Sequence, residues 1–161
     1  MVFDNMNIKA FCKNNKIIRI FLNFKEEYII DYNLNQEDIV SCPTIDKLLV
    51  DSFNGKYVDF TKYTDLDLLD VTEFEMKVYK ETMKIPKGEV RTYKQIGDAI
   101  ETKGYRAVGN ALNKNPLAII VPCHRVVGSN KKLTGFAGGI EMKKTMLSNE
   151  GIKVKGDKAY F

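Results

Sequence analysis

The spacing of apolar residues changes character near residue 72, and the change divides the chain in two. Ahead of it, Ile17 to Asn23 alternates well enough to predict a strand, and Glu27 to Leu34 predicts a second with less regular alternation. Ile45, Leu48, Leu49 and Phe53 recur at helical spacing, and Tyr57 to Phe60 return to an extended pattern before the polar, acidic stretch Thr61 to Asp70. This is a small mixed α/β unit with a linker behind it, residues 1–71.

Residues 72–161 read as mostly helical. Thr72 with Glu75 has capping-box spacing, since a threonine hydroxyl and a glutamate three residues on can each satisfy a backbone N–H of the first turn. Phe74, Val78, Tyr79 and Met83 then share a face until Ile85-Pro86-Lys87-Gly88 stops the helix. Thr92 with Gln95 opens a second helix with Ile96 and Ile100 inward, Gly104 breaks it, and a third runs from about Tyr105 to Asn113. Two short helices around a glycine-containing turn, the later one bearing Arg106, Asn110, Asn113 and Lys114, suit a helix-turn-helix, although many helical domains pack two such helices without touching DNA. Leu117 to Val121 is an unbroken apolar run that predicts a buried strand or extended segment. Gly128 to Gly139 predicts a loop able to close over a ligand, and Ile140 to Leu147 a last helix.

Length and composition narrow the class. At 161 residues, set against roughly 150 per domain, the chain holds one domain or two very small ones, and its 44% apolar residues suffice for a core. Cys12, Cys42 and Cys123 cannot all pair and form no C-x-x-C unit, so a disulfide framework and a structural zinc site are not expected and a reducing cytoplasm is. No run approaches the ~18 apolar residues of a spanning helix, and neither export nor membrane insertion is expected. The net charge of +4 is unevenly placed: residues 1–71 carry 8 basic and 12 acidic side chains, residues 72–161 carry 17 and 9. The second part could attract a polyanion, or its lysines merely solvate it.

Candidate chemistry gathers at Cys123, which ends the apolar run beside the chain's single histidine, His124. A cysteine there can be inert core, or a nucleophile if an imidazole or a positive dipole assists it. One histidine rules out a multi-histidine metal site, the acidic residues show no ligand spacing, and glycine-rich phosphate cradles are lacking. No metal and no cofactor are expected.

Pro122-Cys123-His124-Arg125-Val126 resembles the active-site motif of the O6-alkylguanine-DNA alkyltransferases, also called methylated-DNA–protein-cysteine methyltransferases. Ile85-Pro86-x-Gly88, Thr92-Tyr93, Arg106-Ala107-Val108-Gly109, Asn115-Pro116 and Gly138-Gly139 occur in that family's order and spacing, so the resemblance covers about residues 72–151. It implies an α/β protein with a small N-terminal α/β cap domain (1–71) and a mostly helical DNA-binding and alkyl-acceptor domain (72–161). The implied activity is single-turnover repair of double-stranded DNA carrying O6-alkylguanine, with O4-alkylthymine as a second lesion, by a monomer. Cys123 would accept the alkyl group, His124 would take its proton through a water, and Glu150 would orient His124. Tyr93 would offer its hydroxyl to guanine N3, and Lys143 would assist near the cysteine. Arg106 would fill the space left by a flipped nucleotide, with Tyr105, Asn110, Lys114 and Arg125 also on the DNA side. Val121, Cys123, Phe136, Ala137 and Gly138 would form the substrate pocket, and Asn115 the hinge between recognition helix and active-site segment.

Three positions depart from the family's usual pattern. Phe136 and Ala137 replace a tyrosine and a serine, removing two hydroxyls from the substrate loop, and Tyr79 stands where relatives often carry tryptophan, a core-packing change. The rivals are a lesion-sensing protein without transfer activity, against which the retained Cys123 argues, and a cysteine hydrolase built on Cys123 and His124.

Overall fold

The computed structural model describes residues 7–136 and 138–160. They form two units: residues up to Asp70 together with Pro116–Ala118, and Val71–Asn115 together with the chain from Ile119 onward.

The first unit is a small α/β layer. β1 (Lys9–Lys13) lies between β2 (Lys16–Phe21) and the edge strand β3 (Ile39–Ser41), antiparallel to both. The hairpin turn uses Asn14 and Asn15, both at positive φ, which asparagine tolerates. Ile20 N–H donates to Pro116 O at 2.7 Å, so the short return segment is tied to β2. Phe11, Phe21, Phe24 and Leu34 cluster in one core, and Ala10 and Cys12 are buried beside α2 (Pro43–Phe53). The helix predicted from Ile45, Leu49 and Phe53 is therefore present, with Pro43 in its first turn, where a missing N–H costs nothing.

Two expectations for this unit fail for physical reasons. Glu27 to Leu34 is not a strand but contains a helical turn, α1 (Tyr28–Asp31), because Tyr28 and Tyr32, four residues apart, both pack on the Phe21 ring, with centroids at 5.1 and 5.0 Å. Tyr57 to Phe60 makes no strand pairing and leads into two 3₁₀ turns, Thr61–Tyr63 and Leu66–Leu68.

The second unit carries α3 (Glu73–Thr82), β4 (Arg91–Thr92), α4 (Tyr93–Ala99), α5 (Tyr105–Asn113), β5 (Val126–Val127), α6 (Ile140–Asn149), and the hairpin β6 (Lys153–Lys155) and β7 (Lys158–Tyr160). Both capping boxes form: Glu75 N–H donates to Thr72 Oγ1 at 3.0 Å and Gln95 N–H to Thr92 Oγ1 at 3.1 Å, each with the reciprocal bond. α3 packs on α4 and α5, and buried Tyr79 donates its hydroxyl to Ala111 O at 2.7 Å, a core role that needs its hydroxyl satisfied. Leu117 to Val121 is buried as expected but bent rather than extended, with Ile119 at φ 77°, a left-handed conformation unfavourable to a β-branched side chain. The β6–β7 hairpin, unanticipated, holds the 128–135 loop: Leu133 N–H donates to Asp157 O at 2.7 Å and Ala159 N–H to Lys131 O at 3.0 Å.

α4 and α5 approach so closely that a Cβ at Gly97 would lie 2.6 Å from the Tyr105 ring. Alanine there gains about 1 kcal/mol in helix propensity, and overpacking costs about 1–3. Gly97→Ala is expected to lower the urea midpoint, and the loss to vanish or reverse in a Tyr105→Ala background, where the double-mutant cycle reports the clash.

Candidate active site

Cys123, His124 and Arg125 occupy one 3₁₀ turn, and β5 follows at once, paired in parallel with β4. Upstream, Asn115 Nδ2 donates to Val121 O at 2.9 Å, closing the bent apolar segment on itself. The turn is thus fixed from both sides: by a side-chain bond before it and by a two-residue ladder after it.

Glu150 and Gly151 end α6 and bring a carboxylate to this turn. His124 Nε2 lies 3.1 Å from Glu150 Oε2, while Arg125 donates Nε to Oε1 at 2.9 Å and Nη2 to Oε2 at 2.6 Å. Arg125 Nη1 donates to Ile85 O at 2.8 Å. Burial pushes the Glu150 carboxyl up, but the Arg125 and His124 hydrogen bonds and charges outweigh it and hold the group down at about 2. An ionised carboxylate can only accept, so Nε2 carries the ring proton of neutral His124 and Nδ1 keeps its lone pair. Nδ1 is buried and has no hydrogen-bond partner among the described residues.

The titrating groups around Cys123 are displaced toward neutrality. Burial pushes the Cys123 thiol up, opposed by the Asn115 side chain and the Lys143 charge. Burial likewise pulls His124 down, against Glu150, and draws Lys143 down to about 8. Lys143 is wholly buried and donates Nζ to Val126 O at 2.7 Å and Thr134 O at 3.0 Å, which excludes a merely solvated lysine. Tyr93, the first residue of α4, donates its hydroxyl to the same Thr134 O at 3.2 Å. One carbonyl therefore links the tyrosine to the buried ammonium.

Outside lies an open cleft of about 510 Å³. Its wall includes Tyr93, Tyr105, Arg106, Asn110, Asn113 and Thr134. Arg106 and Asn110 are exposed four residues apart on α5, and exposed Lys114 caps the helix four residues further on, so three of the expected DNA-side residues follow one line. Tyr105 is held by Asp98, which accepts its hydroxyl at 2.6 Å and also pairs with Lys94 at 2.9 Å. Arg125 departs from expectation: its guanidinium is committed to Glu150 and Ile85, and its side chain is 15% exposed, so here it positions the site instead of presenting charge outward. Of the expected pocket residues, Val121 and Cys123 are buried and Phe136 and Gly138 half-buried, but none of the four lines the cleft. Ala137 lies outside the described residues.

Residues 73–152 match the family model for the 6-O-methylguanine DNA methyltransferase DNA binding domain. The methylated-DNA–protein-cysteine methyltransferase of Metallosphaera sedula is 40% identical over 145 residues, covering 89% of this chain and 85% of that protein. This chain belongs to the methylated-DNA–protein-cysteine methyltransferase family. The protein of that name from Sulfurisphaera tokodaii is 50% identical over 102 residues, 63% of each chain, so the match spans less than two thirds of that relative. The crystal structure of Mycobacterium tuberculosis OGT in complex with DNA matches with a TM-score of 0.59 and 44% identity, covering 66% of this chain and 65% of that one. The stretch that matches the family model begins at α3 and ends beyond Glu150, so it contains the helix-turn-helix, the Cys123 turn and the carboxylate.

Glu150 titrates near 2 when folded against 4.5 as an ordinary carboxyl, so its contribution to stability is present above about pH 4.5 and is lost as pH falls toward 2. His124, depressed below 6.5, contributes in the same direction as pH falls below that value. Urea midpoints should therefore fall steadily from about pH 6.5 downward. Glu150→Gln should lose the carboxylate part of that slope and be about 3–5 kcal/mol less stable at pH 7, because it leaves Arg125 buried without its counter-charge.

Proposed function

We propose that this protein repairs double-stranded DNA by irreversible transfer of a methyl or other alkyl group from guanine O6, with O4-alkylthymine as a second lesion, to Cys123. The observation that carries this reading is the polarised histidine beside the cysteine: neutral His124, its Nε2 held by ionised Glu150 and its Nδ1 lone pair unspent, in a module of the methyltransferase family. A buried thiol with a raised pKa is a weak nucleophile until a base takes its proton. His124 supplies that base through a water, and Glu150 stabilises the imidazolium that forms.

The thiolate sulfur then forms a bond to the alkyl carbon as the carbon–O6 bond breaks, and the electron pair leaves on guanine. Tyr93 turns its hydroxyl from Thr134 O to guanine N3, where a hydrogen bond offsets the developing charge, and Lys143, still bound to that carbonyl, adds a positive field. Phe136 and Gly138 shape the pocket, and Val121 and Cys123 offer backbone groups to the guanine edge. The product is a thioether, so each monomer works once.

DNA contact falls to the exposed α5 face. Arg106 occupies the space of the flipped nucleotide, and Tyr105, Asn110 and Lys114 flank it. Asn115 acts as a hinge through its bond to Val121. Residues 1–71 serve as the cap domain, and a reducing cytoplasm keeps Cys123 a thiol.

Mixing the protein with duplex DNA bearing one O6-methylguanine should add one methyl group per molecule, located on Cys123 by peptide mass and absent in Cys123→Ala. Tight lesion binding without a mass gain would make the protein a damage sensor, and repeated turnover of an ester or amide would make it a hydrolase. Arg106→Ala is expected to slow transfer from duplex by about 10- to 100-fold, the weight of a few kcal/mol of base extrusion. Transfer from the free O6-methylguanine base should be unaffected, which separates flipping from chemistry.

A further inference from the structure

The other two cysteines, 30 positions apart in sequence, meet in the first unit. Cys12 lies on β1 opposite Val40 of β3, and Cys42 follows β3 by one residue, its N–H donating to Ala10 O at 3.3 Å. Cys12 and Cys42 are therefore diagonal neighbours on one face of the sheet, near enough for Cys42 to act on the ionisation of Cys12. Both are free thiols; Cys12 is buried and Cys42 is half-exposed at the N-cap of α2. Burial and the Cys42 contact push the Cys12 thiol up to about 12, which keeps it a thiol until a partner reacts.

We infer that Cys12 and Cys42 form an oxidisable thiol pair that closes to a disulfide when the protein meets a peroxide. The order of events follows from exposure. Cys42, which solvent reaches, reacts first: its sulfur takes one oxygen from hydrogen peroxide to give a sulfenic acid, and water leaves. Cys12 sulfur then attacks the Cys42 sulfur, the S–S bond forms, and hydroxide leaves with the Cys12 proton as a second water. Two thiols have lost two electrons and two protons, and the O–O bond has been reduced.

The surroundings leave room for the sulfurs to approach. β3 is a three-residue edge strand and Cys42 lies beyond its end, so no strand among the described residues flanks it on the far side. Asp46 Oδ1 accepts from Ala10 N–H at 2.7 Å, which keeps the first turn of α2 against β1 while the sulfurs close. Cys123, by contrast, is buried in the second unit and has no cysteine partner there among the described residues.

The test is peroxide treatment of the full-length protein, followed by thiol titration and peptide mapping. Free thiols should fall from three to one, with the Cys12 and Cys42 peptides linked, Cys123 still free, and all three restored by a reductant. Cys42→Ser should yield no linked peptide while Cys12 stays unmodified. Persistence of three free thiols, stable over-oxidation of Cys42 alone, or loss of Cys123 before the pair would each overturn the inference.

Discussion

The Glu150 carboxylate, at the end of α6, is held by three hydrogen bonds from two consecutive residues, His124 and Arg125. Because Arg125 also reaches Ile85 O, one buried charge cluster gathers the segment after α3, the cysteine turn and the end of α6. Such a cluster is expensive to desolvate and is weak evidence for stability by itself. Its consequence is geometric: the guanidinium neutralises the carboxylate, the carboxylate chooses the histidine tautomer, and the tautomer leaves a lone pair on Nδ1.

Burial sets the other half of the electrostatics. It raises the thiol and lowers both the imidazole and the ammonium, so the resting site tends toward uncharged cysteine and uncharged histidine. If Cys123 is the single-use acceptor proposed above, this is a protective arrangement. A permanently ionised thiolate would be open to any electrophile small enough to enter, whereas a buried thiol pushed up by desolvation stays protonated until a base takes its proton. Lys143 runs against its own solvation to stay in place, a local cost retained where it supplies field near the sulfur.

What could be read from residues alone was whatever is local. Both capping boxes and the α5 polar face rest on spacings of three or four residues, and all are present. Tyr28 and Tyr32 escaped because aromatic residues suit strands as well as helices, and only packing on Phe21 decides between them. The β6–β7 hairpin was legible in Lys153-Val154-Lys155 and Lys158-Ala159-Tyr160 around Gly156-Asp157, but its short strands give a weak signal. Arg125 pairs with a carboxylate 25 residues away, and no spacing encodes such a contact. Thr134 matters through its backbone carbonyl, which any residue type would supply, so its place between Tyr93 and Lys143 has no sequence signature at all.

The bend from Asn115 to Val121 shows how a local conflict serves the site. Five apolar residues in a row would be satisfied as a strand, yet Ile119 takes a left-handed φ of 77° and Asn115 spans the bend to Val121 O. The strain persists only because burial of Leu117, Ile120 and Val121 over-determines it. An extended path would carry Cys123 away from the end of α5, whereas the bend returns it beside the Asn115 side chain, which opposes the effect of burial on the thiol. The asparagine thus joins two functions in one amide: it closes the turn that delivers the cysteine, and it offsets part of the effect of burial on the thiol once delivered.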